Sequence, residues 1–173
     1  MLLALLVAAV VTVPAVRTLM PLHIFVGITL AGPLAVKTAS TGWRFVRYYT
    51  NNPAYRRKGP PHPLLRVLAP LLLVSTLVVI GSGIGLVATT PGNQGVLARV
   101  HLVSFLVWVL VVGIHLLAYI RRVPRLIASN WRHDRVQQAP GRGHRLAVNL
   151  AALAAAAITA TLVLPAYTAW THW

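Results

Sequence analysis

Five long apolar blocks dominate the sequence and constrain its fold more than any other feature. They cover residues 2–16, 19–40, 64–88, 96–120 and 146–167. A helix of about 20 apolar residues crosses the hydrocarbon core of a bilayer, because it bonds its backbone groups internally and rises about 1.5 Å per residue. The sequence therefore predicts an all-α transmembrane bundle of four to five helices, forming a single integral membrane domain over residues 1–173.

The first block, residues 2–16, is the shortest, and it spans a bilayer only if it is tilted or the bilayer is locally thinned. No Lys or Arg precedes it, and no clean small-x-small cleavage site follows it. These features favour a retained helix or a shortened gene start over a signal-peptide core, which remains the alternative.

The charges are almost all basic, and they are confined to particular connections. Sixteen Lys and Arg stand against the single acid Asp134, a net charge of +15 that in a soluble domain would suggest nucleic acid. Seven of the basic residues lie within 37–66 and seven within 121–145, whereas residues 89–97 contain none. This is the positive-inside pattern. It predicts cytoplasmic loops at 41–63 and 121–145 in the inner (plasma) membrane, with the lipid bilayer and not nucleic acid as partner.

The residue types that are missing exclude several kinds of chemistry. The chain has no Cys, which rules out disulfides, thiolate-held iron–sulfur clusters and covalent haem attachment. It has no Glu and one Asp, so the carboxylates that proton pumps and cation-coupled transporters place at mid-depth are missing. Any haem must be held non-covalently, and transport is disfavoured.

A glycine-rich run, GSGIG from Gly81 to Gly85, superficially resembles a dinucleotide-binding fingerprint. It lies inside an apolar block with no preceding strand, which the fingerprint requires. We therefore expect close helix packing through Gly81 and Gly85.

Three of the seven histidines, His23, His101 and His115, fall within predicted spans. An ionisable side chain at that depth is costly, so each is by default a functional hypothesis. If both basic loops are cytoplasmic, the second and fourth helices run inward, and His23 and His101 lie at a similar depth towards the outer leaflet. Two neutral imidazoles at one depth can bind a single haem iron from opposite sides.

His115 follows His101 by fourteen residues, about 21 Å of helical rise, so both lie on one face in opposite leaflets. That spacing suits two stacked haems. The stripe between them contains Phe105, Trp108 and Val112, an apolar wall suited to a porphyrin. The matching stripe on the second helix is His23, Gly27, Leu30, Leu34 and Lys37, where Gly27 would leave room for the macrocycle.

The segment HLVSFLVWVLVVGIH, from His101 to His115, together with His23 on a parallel helix, resembles the bacterial transmembrane b-type cytochromes. That group includes cytochrome b561-like proteins, ferric-reductase-like membrane domains and the cytochrome b subunits of hydrogenases and formate dehydrogenases. The resemblance covers the second to fourth helices. It implies that His23 and His101 hold an outer haem b through their imidazoles, and that His115 is one ligand of an inner haem.

The chain departs from that pattern at the inner position, where Lys37 and not histidine follows His23 by fourteen residues. The second inner ligand is then His62 or, less favourably, Lys37, which is also suited to snorkelling towards the interface. The haem count is accordingly one, or two if that ligand exists. Arg17 and Arg99 are placed to neutralise haem propionates or simply to anchor helix ends.

These observations predict an electron-transfer protein that passes electrons across the bilayer between a quinone or partner subunit and an acceptor. Whether the chain is the haem-bearing membrane subunit of an oxidoreductase stays open. The main alternative is a cofactor-free membrane anchoring or assembly subunit, or a small permease. A weaker one is copper or zinc binding by His23, His101 and His62, for which few further ligands are present.

Overall fold

The computed structural model of the protein describes residues 1–53, 63–89, 92–120 and 142–168. Its helices are α1 (Leu2–Thr12), α2 (Met20–Tyr49), α3 (Pro63–Ala88), α4 (Gly95–Ile120) and α5 (Arg142–Thr168). No strand occurs within those described ranges. The predicted all-α fold is confirmed.

Four helices, α2 to α5, are long and apolar enough to cross a membrane. The first helix, α1, has only 11 residues and is about 16 Å long, which is roughly half the thickness of a hydrocarbon core. The protein is thus an all-α multi-pass membrane protein, with four spans and one short additional helix in the part of the chain that the structure describes.

Two helices, α1 and α2, end at residues that differ clearly from the sequence-based prediction. The first helix ends at Thr12 and not at residue 16, because Pro14 has no N–H with which to continue the ladder. The second continues past residue 40 to Tyr49, so the first part of the predicted 41–63 loop is helical. It ends just before Asn51, which adopts a left-handed backbone (φ 61°).

The remaining boundaries are closer to expectation. Helices α3 and α4 each begin one residue before the predicted block, whereas α5 begins four residues early, at Arg142. Residues 142–145 therefore belong to a helix and not to the predicted 121–145 loop, whose other residues lie outside the described ranges.

The aromatic residues predicted for a loop lie instead on the last turns of α2, where Trp43, Phe45 and Tyr49 are exposed. The guanidinium of Arg47 lies 5.2 Å from the centre of the Trp43 ring, and the rings of Phe45 and Tyr49 are 4.5 Å apart. Exposed aromatic and basic side chains at one helix end are typical of the level of the lipid head groups.

The spans pack mainly as two pairs, α2 with α5 and α3 with α4, while α2 also contacts α1 and, less extensively, α3. Small residues bring α2 and α5 close together. A Cβ added to Gly32 would overlap the carbonyl oxygen of Ala152 and lie 2.8 Å from Cβ of Ala156, and Ala160 is completely buried. Close backbone approach through Gly and Ala is the usual way in which membrane helices associate.

The α3–α4 pair is held by a buried hydrogen bond from Trp108 Nε1 to Thr76 Oγ1, at 2.9 Å. Gly85 also packs here, since a Cβ at this position would lie 2.6 Å from Leu97 Cδ2. The predicted packing role is correct for Gly85 and wrong for Gly81, which is exposed and has nothing within 4 Å of an added Cβ. Where α2 and α4 begin, the two pairs are separated by a cavity.

Candidate functional site

The structure brings His23 and His101 together. They are the fourth residue of α2 and the seventh residue of α4, and their ring centres are 6.3 Å apart with the ring planes nearly perpendicular, at 84°. Further along, Leu30 and Leu34 of α2 line the same cavity as Phe105 and Trp108 of α4. Helices α2 and α4 therefore run in the same direction and in matched register.

The separation of the two rings equals that of two imidazoles bound to one metal ion. Adding a metal–nitrogen bond of about 2.0 Å to a ring radius of about 1.1 Å on each side gives a centre-to-centre distance of about 6.2 Å. The observed value is 6.3 Å. The distance between the two ring centres is therefore compatible with one ion lying between them.

The hydroxyl of Thr12, at the end of α1, indicates which ring nitrogen of His23 carries the proton. Thr12 Oγ1 lies 2.7 Å from His23 Nδ1 and donates its own proton to the carbonyl oxygen of Ala9, at 2.6 Å. A hydroxyl has one proton, so with that proton committed Thr12 accepts a hydrogen bond from the imidazole. His23 therefore carries its proton on Nδ1.

The hydroxyl of Ser82, on α3, likewise indicates which ring nitrogen of His101 carries the proton. Its Oγ lies 3.1 Å from His101 Nδ1 and 2.6 Å from the carbonyl oxygen of Val78, to which it donates. His101 is consequently also protonated on Nδ1 and donates to the serine oxygen.

Both imidazoles are therefore held in the same tautomer, with a lone pair on Nε2. A histidine that ligates a metal through one ring nitrogen usually donates the other N–H to an oxygen, which fixes the ring and raises its basicity. Here the oxygens come from α1 and α3, and the imidazoles come from α2 and α4. Four helices thus each contribute one group to the site.

A cavity of about 330 Å³ lies against both rings, within the range of cofactor sites in proteins. Its wall is almost entirely apolar, and it extends along α2 to Leu34 and along α4 to Trp108. The predicted stripe residues Gly27, Leu30 and Phe105 also line it. An apolar chamber of this kind excludes water from whatever it holds.

Two glycines beside the histidines have different roles. A Cβ added to Gly27 would meet nothing within 4 Å, so the absence of a side chain leaves empty space at the wall. A Cβ added to Gly83 would lie 3.0 Å from His101 Cε1 and would press on that ring. Gly27 therefore provides room, and Gly83 allows α3 to approach the imidazole.

The aromatic wall is also part of the α3–α4 packing. Trp108 is 8% exposed, and its ring lies 6.5 Å from that of Phe105 at an angle of 24°. The indole is oriented by its bond to Thr76, so the aromatic surface facing the cavity is held rigidly.

The other predicted inner site is not assembled in the same way. His115 is half-buried and Lys37 is exposed, and neither lines the cavity. His62, the proposed second ligand, lies outside the described residues. The structure thus brings His23 and His101 together, whereas a second ligand for His115 stays a prediction.

Neither arginine predicted to contact haem propionates lines the cavity. Arg17 is exposed in the turn between α1 and α2, next to Val16, which does line it. Arg99 lies on the far side of α4 from His101, where it borders a separate groove. A role near the cavity therefore stays a prediction for Arg17, while the position of Arg99 suits a different surface.

Sequence reasoning missed Thr12, Ser82 and Gly83. The two hydroxyls had a detectable signal, because each is a polar residue inside an otherwise apolar helix. Their pairing with particular histidines had none, since Thr12 is eleven residues from His23 and Ser82 is nineteen residues from His101.

No group of three or more His, Cys, Asp or Glu side chains comes together within the described part of the chain. Two imidazoles alone leave a bare copper or zinc ion short of ligands, because such ions take about four. The site suits a group that brings the other ligands itself. Comparison with family models, with curated proteins and with solved structures finds no match to this chain.

Proposed function

We propose that the protein is a membrane b-type cytochrome that binds one haem b between His23 and His101. The observation that carries this proposal is the pair itself, two imidazoles 6.3 Å apart whose Nδ1 atoms are both engaged by hydroxyls. A porphyrin supplies four nitrogens to its iron, so the protein needs to add only two axial ligands.

The surroundings of His23 and His101 are also suited to a haem. The cavity beside the rings is apolar, and Gly27 leaves its wall open. Since the chain has no Cys, attachment is non-covalent. Haem bound here would supply a one-electron couple, whose potential depends on the axial ligands and on burial.

The protein's own groups give the site its properties. Thr12 and Ser82 orient the two imidazoles and keep Nε2 deprotonated, and the apolar wall excludes water. Because the site lies among membrane-spanning helices, the proposed electron partners are a quinone dissolved in the bilayer or a redox partner protein that docks at its surface.

The proposed orientation follows from the basic residues. Helices α2 and α4 both end towards basic segments, which by the positive-inside pattern are cytoplasmic in the inner (plasma) membrane. The His23–His101 pair then lies towards the opposite face of that membrane. Electrons entering from a partner on that face would meet this haem first.

The direct test is a reduced-minus-oxidised absorption spectrum of the full chain, expressed with haem supplied and purified in detergent. We expect a b-type spectrum, one haem per chain, and complete extraction of the haem by acidified acetone. The double variant His23→Ala/His101→Ala serves as the control and should be colourless with unchanged helicity.

A folded wild-type protein that stays colourless would reject the proposal. It would favour the cofactor-free alternatives, an anchoring or assembly subunit or a small permease. Metal analysis of the haem-extracted protein separates the third alternative, because copper or zinc that stays bound would indicate a metal site without porphyrin.

A further inference from the structure

A groove runs along the outer face of the α3–α4 pair, on the side away from the histidine cavity. Its walls are formed by Leu71, Val74 and Val78 of α3 and by Val100, Val103 and Val107 of α4. All six side chains are exposed, and each row extends about 10 Å along its helix. The two rows are therefore long enough to contact an extended hydrocarbon chain over that length.

The floor of the groove contains two buried serines, Ser75 and Ser104. Each donates its hydroxyl proton to its own helix, to the carbonyl oxygens of Leu72 and His101 respectively. The serine hydroxyls therefore do not need a hydrogen-bond acceptor from a molecule bound in the groove. An apolar chain can cover them without leaving a buried donor unsatisfied.

One end of the groove carries a cation, Arg99, the only Lys, Arg, Asp or Glu between Val67 and Leu117. It is exposed in the second turn of α4, and helical side chains lean towards the helix start, so its guanidinium points towards the membrane surface. That is the level of lipid phosphates.

The chain itself offers Arg99 almost no counter-charge. Asp134 is the single acid of the sequence, and by the positive-inside pattern it belongs to a loop at the opposite membrane face from Arg99. A guanidinium is always charged and pairs readily with phosphate. The anion that neutralises it must therefore be supplied by another molecule.

We infer that this groove is a binding site for an anionic phospholipid, with one acyl chain between α3 and α4 and the phosphate on Arg99. The apolar channel and the cation at its membrane-surface end match the two parts of such a lipid. This inference is independent of haem binding, because the groove and the cavity lie on different faces of α4.

The experiment is native mass spectrometry of the full chain in detergent, with phosphatidylglycerol and phosphatidylcholine of identical acyl chains. We expect the protein to retain phosphatidylglycerol preferentially, and Arg99→Gln to reduce that preference about fivefold, the effect of one basic residue near an anionic surface. Arg99→Lys should keep most of it. Arg44→Gln, which removes an exposed arginine at the far end of α2, is the matched control and should reduce the preference clearly less than Arg99→Gln, because Arg44 does not border the groove.

Two further arms test the groove and the source of the anion. Val103→Trp fills the channel with an exposed side chain and should reduce the retention of both lipids, whereas glycerol 3-phosphate, which lacks acyl chains, should not bind. An unchanged lipid preference in Arg99→Gln would overturn the inference, as would equal binding of glycerol 3-phosphate. Dimers that persist without any bound lipid and that Val103→Trp disrupts would assign the groove to a second copy of the chain and would also overturn the inference.

Discussion

Residues 23–37 of α2 and residues 101–115 of α4 are segments of equal length that differ in what is assembled at their two ends. Each segment has a basic side chain at both ends: His23 and Lys37 on α2, His101 and His115 on α4. At the first end the rings are 6.3 Å apart and border a cavity of about 330 Å³. The cavity does not extend as far as Lys37 and His115.

The difference lies in the neighbouring helices. At the first end, α1 brings Thr12 to His23 and α3 brings Ser82 to His101, while Gly83 allows α3 to come close. The short α1 covers only this end, because it has 11 residues. A histidine at membrane depth therefore becomes a candidate ligand only where a second helix orients it and a third leaves space beside it.

The largest expected effect is the loss of either imidazole. His23→Ala or His101→Ala should remove more than about nine-tenths of the bound haem, because one axial ligand in an apolar chamber leaves the iron underligated. Haem per chain, measured by the pyridine haemochrome method, reports the loss. The exposed His144→Ala should retain full haem, and comparable loss in that control would mean that the assay reports folding and not ligation.

A smaller but still large effect is expected from filling the space beside Gly27. A leucine there would occupy the cavity, so Gly27→Leu should lower haem content at least about tenfold while the helix remains stable, since leucine favours helix more than glycine does. Gly42→Leu is the matched control on the same helix, because an added Cβ there also meets nothing within 4 Å but does not face the cavity. Full haem content in Gly27→Leu would show that the occupant lies elsewhere.

Removing the orienting hydroxyls should weaken the site without abolishing it. Thr12→Val and Ser82→Ala each leave an imidazole without the acceptor that fixes its tautomer, and such changes typically cost about 10- to 100-fold in affinity. Haem dissociation should be faster by that factor, and the midpoint potential should change because ligand basicity changes. Thr12→Ser should restore both values. A potential that does not move in either variant would assign the hydroxyls a purely structural role.

The smallest expected effect is at the other end of the helix pair. We expect one haem per wild-type chain, and His115→Ala should retain it, because His115 does not line the cavity. Haem stoichiometry against protein concentration from amino-acid analysis is the measurement. Two haems in the wild type and one in His115→Ala would instead establish a second site at the end marked by Lys37.

Much of the fold was predictable because membrane insertion depends on local composition. Helices α3 and α4 lie within one residue of the predicted apolar blocks. The end of α2 was less predictable, because residues 41–49 are polar and aromatic, yet no proline interrupts them and the helix continues. Hydropathy marks the part of a helix that enters lipid and not the part that extends beyond it.

The candidate site was likewise only partly predictable from the sequence. The depth of His23 and His101 follows from helix rise and the direction of the chain, so sequence alone was enough to place them at one level. Which glycine packs against His101 depended on rotation about the axis of α3, and the structure selects Gly83 and not Gly81. Small errors in rotation exchange adjacent faces of a helix, so spacing alone cannot decide such contacts.

The sequence by itself determined a basic, cysteine-free bundle of membrane helices with histidines at matched depths, because hydrophobicity, charge and helical rise are properties of single segments. Only the tertiary structure decided that Thr12 and Ser82 accept from those histidines, that the cavity ends before His115, and that Arg99 faces a different groove. Each of these depends on how separate helices are rotated and packed against one another, and that is a property of their contacts and not of any one stretch of sequence.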